Sequence, residues 1–271
     1  MRFRVAVAVL LTAACAPQGV GTTIPGTIPA TIPGGLGFTV VEVLDGDSIR
    51  VHLGAVVEEV RILGVNAPEA GECWADEARD ALAGMANGAV TVVGDARDQF
   101  GRLLAYLYDG AEILNLRLVE AGAAIATSAE HRLAAEFLAA EEVAFGSGIG
   151  MWAPNACGPA APAGITIDEL VFDAPGADQE NPNGEYVAIG NAGAPIDLTG
   201  WVLRDESSVH RFGFPDGFVL GTGEAVIVRS GCGEISPGTL FWCADGSVWN
   251  NDGDQALLLD RYGNIVARLR Y

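Results

Sequence analysis

The sequence predicts two folded domains, a small β-barrel with three helices packed against it and then an all-β sandwich. Its 271 residues, half of them hydrophobic, suffice for two domains with buried cores. Helical periodicity occurs only before residue 155, whereas short strands between turns fill the chain after residue 164. Residues 155–164 are rich in Pro, Ala and Gly and are predicted to form a linker. The fold class is therefore multidomain, α+β followed by all-β.

Residues 1–15 are predicted to be an export signal of the lipoprotein type. Two arginines precede an apolar stretch, Val5 to Ala14, that is too short to span a bilayer. The segment ending at Cys15 resembles a bacterial lipobox, in which the cysteine carries the lipid; ordinary secretion is the alternative. Residues 16–37 contain three Thr-Ile-Pro units at four-residue spacing, which predicts an extended stalk. We expect an exported protein, either anchored through Cys15 at the outer face of a bacterial membrane or extracellular.

The first domain, residues 38–154, shows strand patterns interrupted by one helix and followed by two more. Turn residues such as Asp45-Gly46-Asp47 and Asp109-Gly110 separate them. The predicted strands are 38–44, 48–53, 56–63, 89–93 and 102–108, and the predicted helices are 73–86, 114–120 and 132–145. Five strands with three helices predict a small barrel.

The second domain, residues 165–271, contains short strands between turns and no convincing amphipathic helix. Asn183-Gly184 and Gly263-Asn264 supply turn residues. The predicted strands are 165–172, 185–189, 200–204, 218–220, 225–228, 256–259 and 265–269. An all-β sandwich is the simplest interpretation.

Four cysteines beyond Cys15 predict two disulfides, because export places them in an oxidising compartment. Four cysteines allow three connectivities. Cys73 and Cys157 fall in one predicted domain and Cys232 and Cys243 in the other, so these two pairs are favoured.

The charge of the chain excludes one class of nucleic-acid-binding protein. There are 35 acidic residues against 15 basic ones, all Arg, and the net charge is −20. Electrostatic affinity for nucleic acid grows with the number of cations placed on phosphates. The protein therefore does not wrap nucleic acid in a broad basic surface, and any phosphate chemistry must depend on a few local arginines.

Three segments of the first domain carry residue types suited to phosphodiester hydrolysis. Carboxylate and amide oxygens bind hard cations, a carboxylate can orient water, and guanidinium groups grip phosphates. Such hydrolysis needs fixed positive charge for the developing phosphate charge and an oriented water molecule. The segments are Asp45-Gly46-Asp47, Arg61 to Glu69, and Asp98 to Arg102. An Asp-Gly-Asp triplet alone is a weak signal, and its significance depends on the other two segments.

Residues 38–153 resemble the thermonuclease, or staphylococcal nuclease-like, family in the order and spacing of four motifs. These are Val-Leu-Asp-Gly-Asp ending at Asp47, Arg-Ile-Leu-Gly-Val-Asn-Ala-Pro-Glu from Arg61, Phe-Gly-Arg-Leu-Leu-Ala-Tyr from Phe100, and Gly150-Met151-Trp152. The resemblance implies an OB-type five-stranded barrel with three helices. It also implies a calcium-dependent endonuclease that cleaves DNA and RNA to leave 3′-phosphates.

The same resemblance implies a role for each matching residue. Asp47 binds Ca²⁺, with Asn66 and the backbone carbonyl of Ala67 at the same metal site. Arg61 and Arg102 hold the scissile phosphate, and Glu69 lies beside the attacking water.

The sequence departs from the family pattern in two places. Asn66 stands where the family commonly has a calcium-binding aspartate, so one negative charge is missing. Ser128, Ala129 and Glu130 stand where the best-known member has tyrosines that pack on the nucleotide. The missing charge at Asn66 should weaken calcium binding. Because stacking contributes about 1–3 kcal/mol per base, we also expect substrate binding to be weaker or to depend on other residues.

Residues 165–271 resemble a bacterial lamin-tail domain, an immunoglobulin-like sandwich. The matching stretches begin at Ile167, Glu185, Leu198 and Val248. The resemblance implies no catalytic site, and 16 acidic residues against six Arg between residues 159 and 271 favour an envelope, protein or glycan ligand.

Taken together, the signal, the first domain and the second domain predict an exported endonuclease acting on DNA and/or RNA. The alternative is a catalytically silent cell-surface protein that uses both domains for ligand binding or attachment.

Overall fold

The computed structural model describes residues 36–53, 55–176, 180–207 and 209–271. The predicted signal, Cys15 and the stalk up to residue 35 lie outside the described residues. The first strand already begins at Leu36, so the last two residues assigned to the stalk belong to the barrel. Within the described ranges, no helix is long and apolar enough to cross a membrane.

The first domain is a closed five-stranded barrel with three helices. Its elements are β1 (Leu36–Val43), β2 (Ser48–Leu53), β3 (Val56–Ile62), β4 (Val65–Asn66), α1 (Ala75–Met85), β5 (Ala89–Arg97), β6 (Leu103–Asp109), β7 (Glu112–Ile113), α2 (Leu114–Glu120), β8 (Ile125–Ala126) and α3 (Ala134–Gly146). The strand order is β3-β2-β1-β5-β6, and parallel pairing of β3 with β6 closes the barrel. Side chains alternate between the two faces of β2 and β3, and the inward-facing ones, Ile49, Val51, Val60 and Ile62, are each at most 1% exposed. Burying such a side chain stabilises the fold by about 1.5–3 kcal/mol.

Several boundaries differ from the sequence prediction. The first helix begins at Ala75 because Trp74 adopts a left-handed conformation, φ 70°. The Trp74 side chain packs against a cluster between the domains. β5 continues to Arg97, four residues beyond the predicted end. The pattern also did not predict β4, β7 and β8, because two-residue strands carry no periodicity.

The second domain consists of two four-stranded sheets and one two-stranded sheet. Its elements are β9 (Ile165–Val171), β10 (Tyr186–Asn191), β11 (Ile196–Asp197), β12 (Val202–Arg204), β13 (Arg211–Gly213), β14 (Val219–Leu220), β15 (Ala225–Arg229), β16 (Thr239–Phe241), β17 (Gln255–Leu259) and β18 (Ile265–Arg270). The sheet orders are β16-β15-β10-β9, β13-β12-β17-β18 and β11-β14. Its core contains Val187, Ile189, Leu203, Trp249 and Leu258, each at most 2% exposed.

The two domains share a buried junction. Apolar side chains from both domains form one cluster: Ile125, Ala144, Met151 and Trp152 with Leu257, Leu259 and Ile265. Arg268 of β18 lies over the Phe145 ring of α3, with 4.0 Å from its guanidinium carbon to the ring centroid. The Arg268 guanidinium also pairs with the fully buried Glu141 of α3. The junction therefore combines apolar burial with charged contacts.

Both predicted disulfides are present in the structure. Cys73 pairs with Cys157, with a Cα–Cα distance of 5.7 Å, and Cys232 pairs with Cys243 at 4.3 Å. The first ties the segment before α1 to the interdomain linker. The backbone N–H of Cys157 also donates to Oδ1 of Asn264, 2.8 Å away, so the linker is bound to the second domain.

Candidate active site

The turn Asp45-Gly46-Asp47 connects β1 to β2 and packs directly on two other segments. The Asp47 N–H donates to Oδ1 of Asp45 at 2.9 Å. A Cβ atom on Gly46 would lie 2.5 Å from Cβ of Ala67 and 2.7 Å from Cβ of Ala78. Only glycine permits this approach, which places Asp47 beside the Ala67 backbone and α1.

Asp47 is a buried carboxylate, 6% exposed. Its Oδ2 accepts the Ala67 N–H at 2.7 Å, and its Oδ1 accepts the Ser48 hydroxyl at 3.0 Å and lies 3.0 Å from Nη1 of Arg61. Burial raises the pKa of Asp47 to about 6, although the Arg61 charge opposes the shift and Asp45 adds to it. A carboxylate so poorly solvated is stabilised by a nearby cation.

Arg61, on β3, is held by backbone and side-chain oxygens. Its Nη1 donates to the carbonyls of Val65 at 2.8 Å and Ile62 at 3.2 Å. Its Nη2 donates to Oδ1 of Asn66. Only 16% of the Arg61 side chain is exposed. These contacts hold the guanidinium beside Asp47.

Arg102 directly precedes β6, the strand that pairs with the strand of Arg61. β3 and β6 pair in parallel, with Arg61 opposite Leu104 and Val60 opposite Leu103. Because side chains alternate along a strand, Arg61 and Arg102 project from the same outer face of the barrel. Two guanidinium groups are thus available to one polyanionic substrate.

A tight turn orients Arg102. Its Nε donates to Oδ2 of Asp98 at 2.7 Å, and its N–H donates to Oδ1 of Asp98 at 2.9 Å. Gly101 has φ +86°, a conformation that favours glycine. Phe100 is 75% exposed, and its ring centroid lies 5.6 Å from the Arg102 guanidinium carbon. Phe100 therefore offers an exposed aromatic face beside the arginine.

Glu69 lies in the loop between β4 and α1 and is exposed to solvent. Its N–H donates to Oε2 of Glu72 at 3.0 Å, and its carbonyl accepts the Glu72 N–H at 2.8 Å. Across the described parts of the chain, no hydrogen bond is formed by the Glu69 carboxylate. That carboxylate is therefore accessible to water and substrate.

The structure brings four of the six predicted catalytic and metal residues into direct contact: Asp47, Arg61, Asn66 and Ala67. Arg102 and Glu69 lie on adjoining segments, and Arg102 pairs with Asp98 rather than with Glu69 or Asp47. Sequence reasoning did not assign the anchoring role of Asp98, although the spacing from Asp98 to Arg102 could have indicated it. It also missed the second-domain residue Glu206, whose carbonyl accepts the Asn66 side-chain amide at 3.1 Å.

Three oxygen donors of this cluster are of the type that a hard cation prefers. They are the Asp47 carboxylate, the Asn66 amide oxygen and the Ala67 carbonyl. In the residues that the structure describes, no group of three or more His, Cys, Asp or Glu side chains is arranged to hold a metal ion. The ligand types fit calcium, but phosphate and water oxygens would have to complete its coordination.

Comparison with known proteins assigns the two domains. A family model described as Staphylococcal nuclease homologue matches residues 59–154, and one described as Lamin Tail Domain matches residues 158–271. Protein ParB of Escherichia coli is 32% identical over 132 residues, covering 44% of this chain and 75% of that protein. The chain belongs to the staphylococcal nuclease homologue family.

Two further relatives carry endonuclease names. An uncharacterized endonuclease of Escherichia coli O157:H7 is 36% identical over 88 residues, covering 31% of this chain and 57% of that protein. An uncharacterized endonuclease of Haemophilus influenzae is 29% identical over 118 residues, covering 43% of this chain and 66% of that protein. The matched segment thus spans less than two thirds of these two relatives.

The family assignment confirms the predicted OB-type barrel followed by an immunoglobulin-like lamin-tail domain. The first domain is a nuclease domain, and the protein is a phosphodiester hydrolase. This result favours the enzyme over the catalytically silent alternative.

Proposed function

We propose that the protein is a calcium-dependent endonuclease that hydrolyses DNA and/or RNA and leaves 3′-phosphates. The supporting observation is the cluster of Asp47, Arg61 and Asn66 on the barrel face that also carries Arg102. The family resemblance supports the calcium requirement and the identity of the product ends.

The side chains around Asp47 would hold the calcium ion. Asp47 supplies the carboxylate, and Asn66 and the Ala67 carbonyl supply neutral oxygens. Bound calcium offsets negative charge on the phosphate. Because the Asn66 oxygen accepts a hydrogen bond from Arg61, its interaction with calcium would compete with that bond. A single buried carboxylate with neutral partners predicts weak calcium affinity.

The arginines and Glu69 act on the substrate itself. Arg61 and Arg102 donate to the non-bridging oxygens of the scissile phosphate, and their positive charges stabilise the charge that develops there. Glu69 accepts a hydrogen bond from the attacking water and orients it toward phosphorus. Phe100 provides a face on which a base can stack, in place of the missing tyrosines.

The experiment is hydrolysis of plasmid DNA and of single-stranded RNA by the full chain, with calcium or with chelator. Arg102→Ala is the most informative variant, because Arg102 bonds to Asp98 of its own turn, whereas Arg61 also donates to three backbone carbonyls. Loss of one such donor should lower kcat about 10²- to 10³-fold. Arg79→Ala is the matched control, since Arg79 is an exposed arginine of α1 in the same domain.

The outcome is decided by comparison of those variants. Near wild-type turnover in both Arg61→Ala and Arg102→Ala would overturn the assigned site. Activity that persists in chelator would overturn the calcium requirement. Product ends that accept a 3′-extension by polymerase without prior phosphatase treatment would overturn 3′-phosphate formation.

We also propose that Cys15 is acylated and anchors the protein at the outer face of a bacterial membrane. The basic start, the short apolar stretch and the lipobox-like residues support this location. The wild type should partition into detergent, and Cys15→Ser should be released to the medium. A fully soluble wild type without lipid mass on its first peptide would instead indicate simple secretion.

For the lamin-tail domain, its acidic composition supports an envelope, protein or glycan ligand.

A further inference from the structure

The lamin-tail domain contacts the loop that carries Glu69, residues 66–72, here named the catalytic loop. At its first residue, the Asn66 side-chain amide donates to the carbonyl of Glu206 at 3.1 Å. The other side of the same amide group, Oδ1, accepts a hydrogen bond from Arg61. Asn66 therefore links the phosphate-binding arginine to a backbone atom of the second domain.

Glu206 is itself fixed to the nuclease domain. It is 6% exposed. Its carboxylate accepts the Ser128 N–H at 2.9 Å and 3.1 Å and the Ser128 hydroxyl at 2.8 Å. The Glu206 N–H donates to Oδ1 of Asp254 within its own domain, at 3.3 Å. The Glu206 residue, whose carbonyl accepts the Asn66 amide, is thus held by Ser128 of the nuclease domain and by Asp254 of its own domain.

The far end of the catalytic loop is bound by the same hairpin. Glu206 follows β12, and Arg211 begins β13, the strand paired with β12. Arg211 forms a salt bridge with Glu72, whose N–H and carboxylate bond to the Glu69 backbone. Arg204, 3% exposed at the end of β12, lies close enough to interact electrostatically with Glu69 and Glu72. One hairpin of the lamin-tail domain therefore contacts both ends of the loop.

We propose that the β12–β13 hairpin of the lamin-tail domain positions the catalytic loop, and through Asn66 also Arg61, for phosphodiester hydrolysis. This inference rests on the proposed function. It also explains why position 66 is asparagine. An aspartate there would direct a carboxylate oxygen at the Glu206 carbonyl, whereas the asparagine amide donates to it. Glu206 is a positioning residue, because it contacts Asn66 rather than the substrate.

The test compares kcat and KM of full-length variants at saturating calcium. Glu206→Ala removes all three hydrogen bonds to Ser128 and should lower kcat about 10- to 100-fold, because misplacement of catalytic groups by about 1 Å has effects of that size. KM should change less than about threefold, since Arg102, held by Asp98 of its own turn, still binds the phosphate. Glu206→Gln retains an acceptor oxygen and should restore most of kcat. Arg229→Ala is the control for Arg211→Ala in the exchange measurement described below, because Arg229 lies on β15 in the other four-stranded sheet, where it donates to the Asn183 carbonyl and lies over the Tyr186 ring.

A double-mutant cycle separates positioning from general destabilisation. If Glu206 acts through Asn66, then Glu206→Ala in an Asn66→Ala background should lower kcat no more than about twofold further. Multiplicative losses would overturn the proposal, as would a loss of less than about twofold in Glu206→Ala alone. Should Glu206→Ala fail to fold, Ser128→Ala removes one of the three bonds and takes its place in the cycle, with the same two outcomes.

Hydrogen exchange gives a readout that does not require activity. Glu206→Ala and Arg211→Ala should each increase amide exchange across residues 66–72, and Arg229→Ala should not. Unchanged exchange in the first two variants would overturn the positioning role. An inactive wild type would instead refute the proposed function, so the two failures are distinguishable.

Discussion

Glu141 forms a buried charged contact between the domains. It is 0% exposed, and its Oε1 accepts hydrogen bonds from Nη1 of Arg268 and Nη2 of Arg270, both at 2.8 Å. Its Oε2 accepts the Ala126 N–H at 2.6 Å. Arg268 and Arg270 are themselves only 6% and 15% exposed. Replacing Glu141 by Ala would therefore leave two poorly hydrated guanidinium groups without their shared carboxylate.

The expected cost is about 3–5 kcal/mol in the free energy of unfolding, the usual result of removing one partner of a buried ion pair. Two charge-assisted hydrogen bonds at about 1.5–3 kcal/mol each lead to an overlapping range, about 3–6 kcal/mol. Glu141→Gln should cost less, because its amide oxygen can still accept the Ala126 N–H.

The assay is urea unfolding with both disulfides intact, monitored by tryptophan fluorescence, since Trp152 lies in the junction. Glu142→Ala is the control. Glu142 is the next residue, is 61% exposed, and pairs with the same Arg268 at 2.7 Å. Because the Glu142 carboxylate is largely solvated, its contact with Arg268 should contribute only about 0–1 kcal/mol. Equal losses in the two variants, or a loss below about 1 kcal/mol in Glu141→Ala, would refute the reasoning.

Three further predictions can be measured. Asn66→Asp should lower the half-activating calcium concentration, because affinity rises with carboxylate charge; an unchanged or higher concentration would remove Asn66 from the metal site. Burial raises the pKa of Glu206 from 4.5 to about 7, so its ionisation reduces stability as pH rises through that interval. The Tm of Glu206→Gln minus that of wild type should therefore increase from about pH 5 to 8, and a constant difference would contradict this. Cys73→Ser opens an 84-residue separation and should cost about 4–5 kcal/mol, against about 3 kcal/mol for Cys232→Ser with 11 residues; the reverse order in urea unfolding would argue against the chain-entropy explanation.

The candidate catalytic residues could be proposed from the sequence because their signals are local. Asp47 follows a glycine turn between two strands, and Arg61 to Glu69 form one continuous motif. The pairing of β3 with β6 then brings Arg102, directly before β6, to the same side of the barrel as Arg61. Strands with several alternating residues were also predicted, because alternation is a local pattern, whereas β4 and β8 were not predicted. These two-residue strands form by pairing Val65 with Ala126, which are distant in sequence.

The sequence by itself determined the two domain types, the disulfide candidates and the residue types of the hydrolytic site, because strand periodicity, turn residues and motif spacing are properties of neighbouring positions. Only the tertiary structure decided how the domains join. Asn66 and Glu206 are 140 positions apart, and Glu72 and Arg211 are 139 apart. No local pattern encodes a hydrogen bond of that separation, since it depends on the docking of two completed folds. The partner of Asn66, and with it the reason for an amide at that position, is therefore a property of the folded interface.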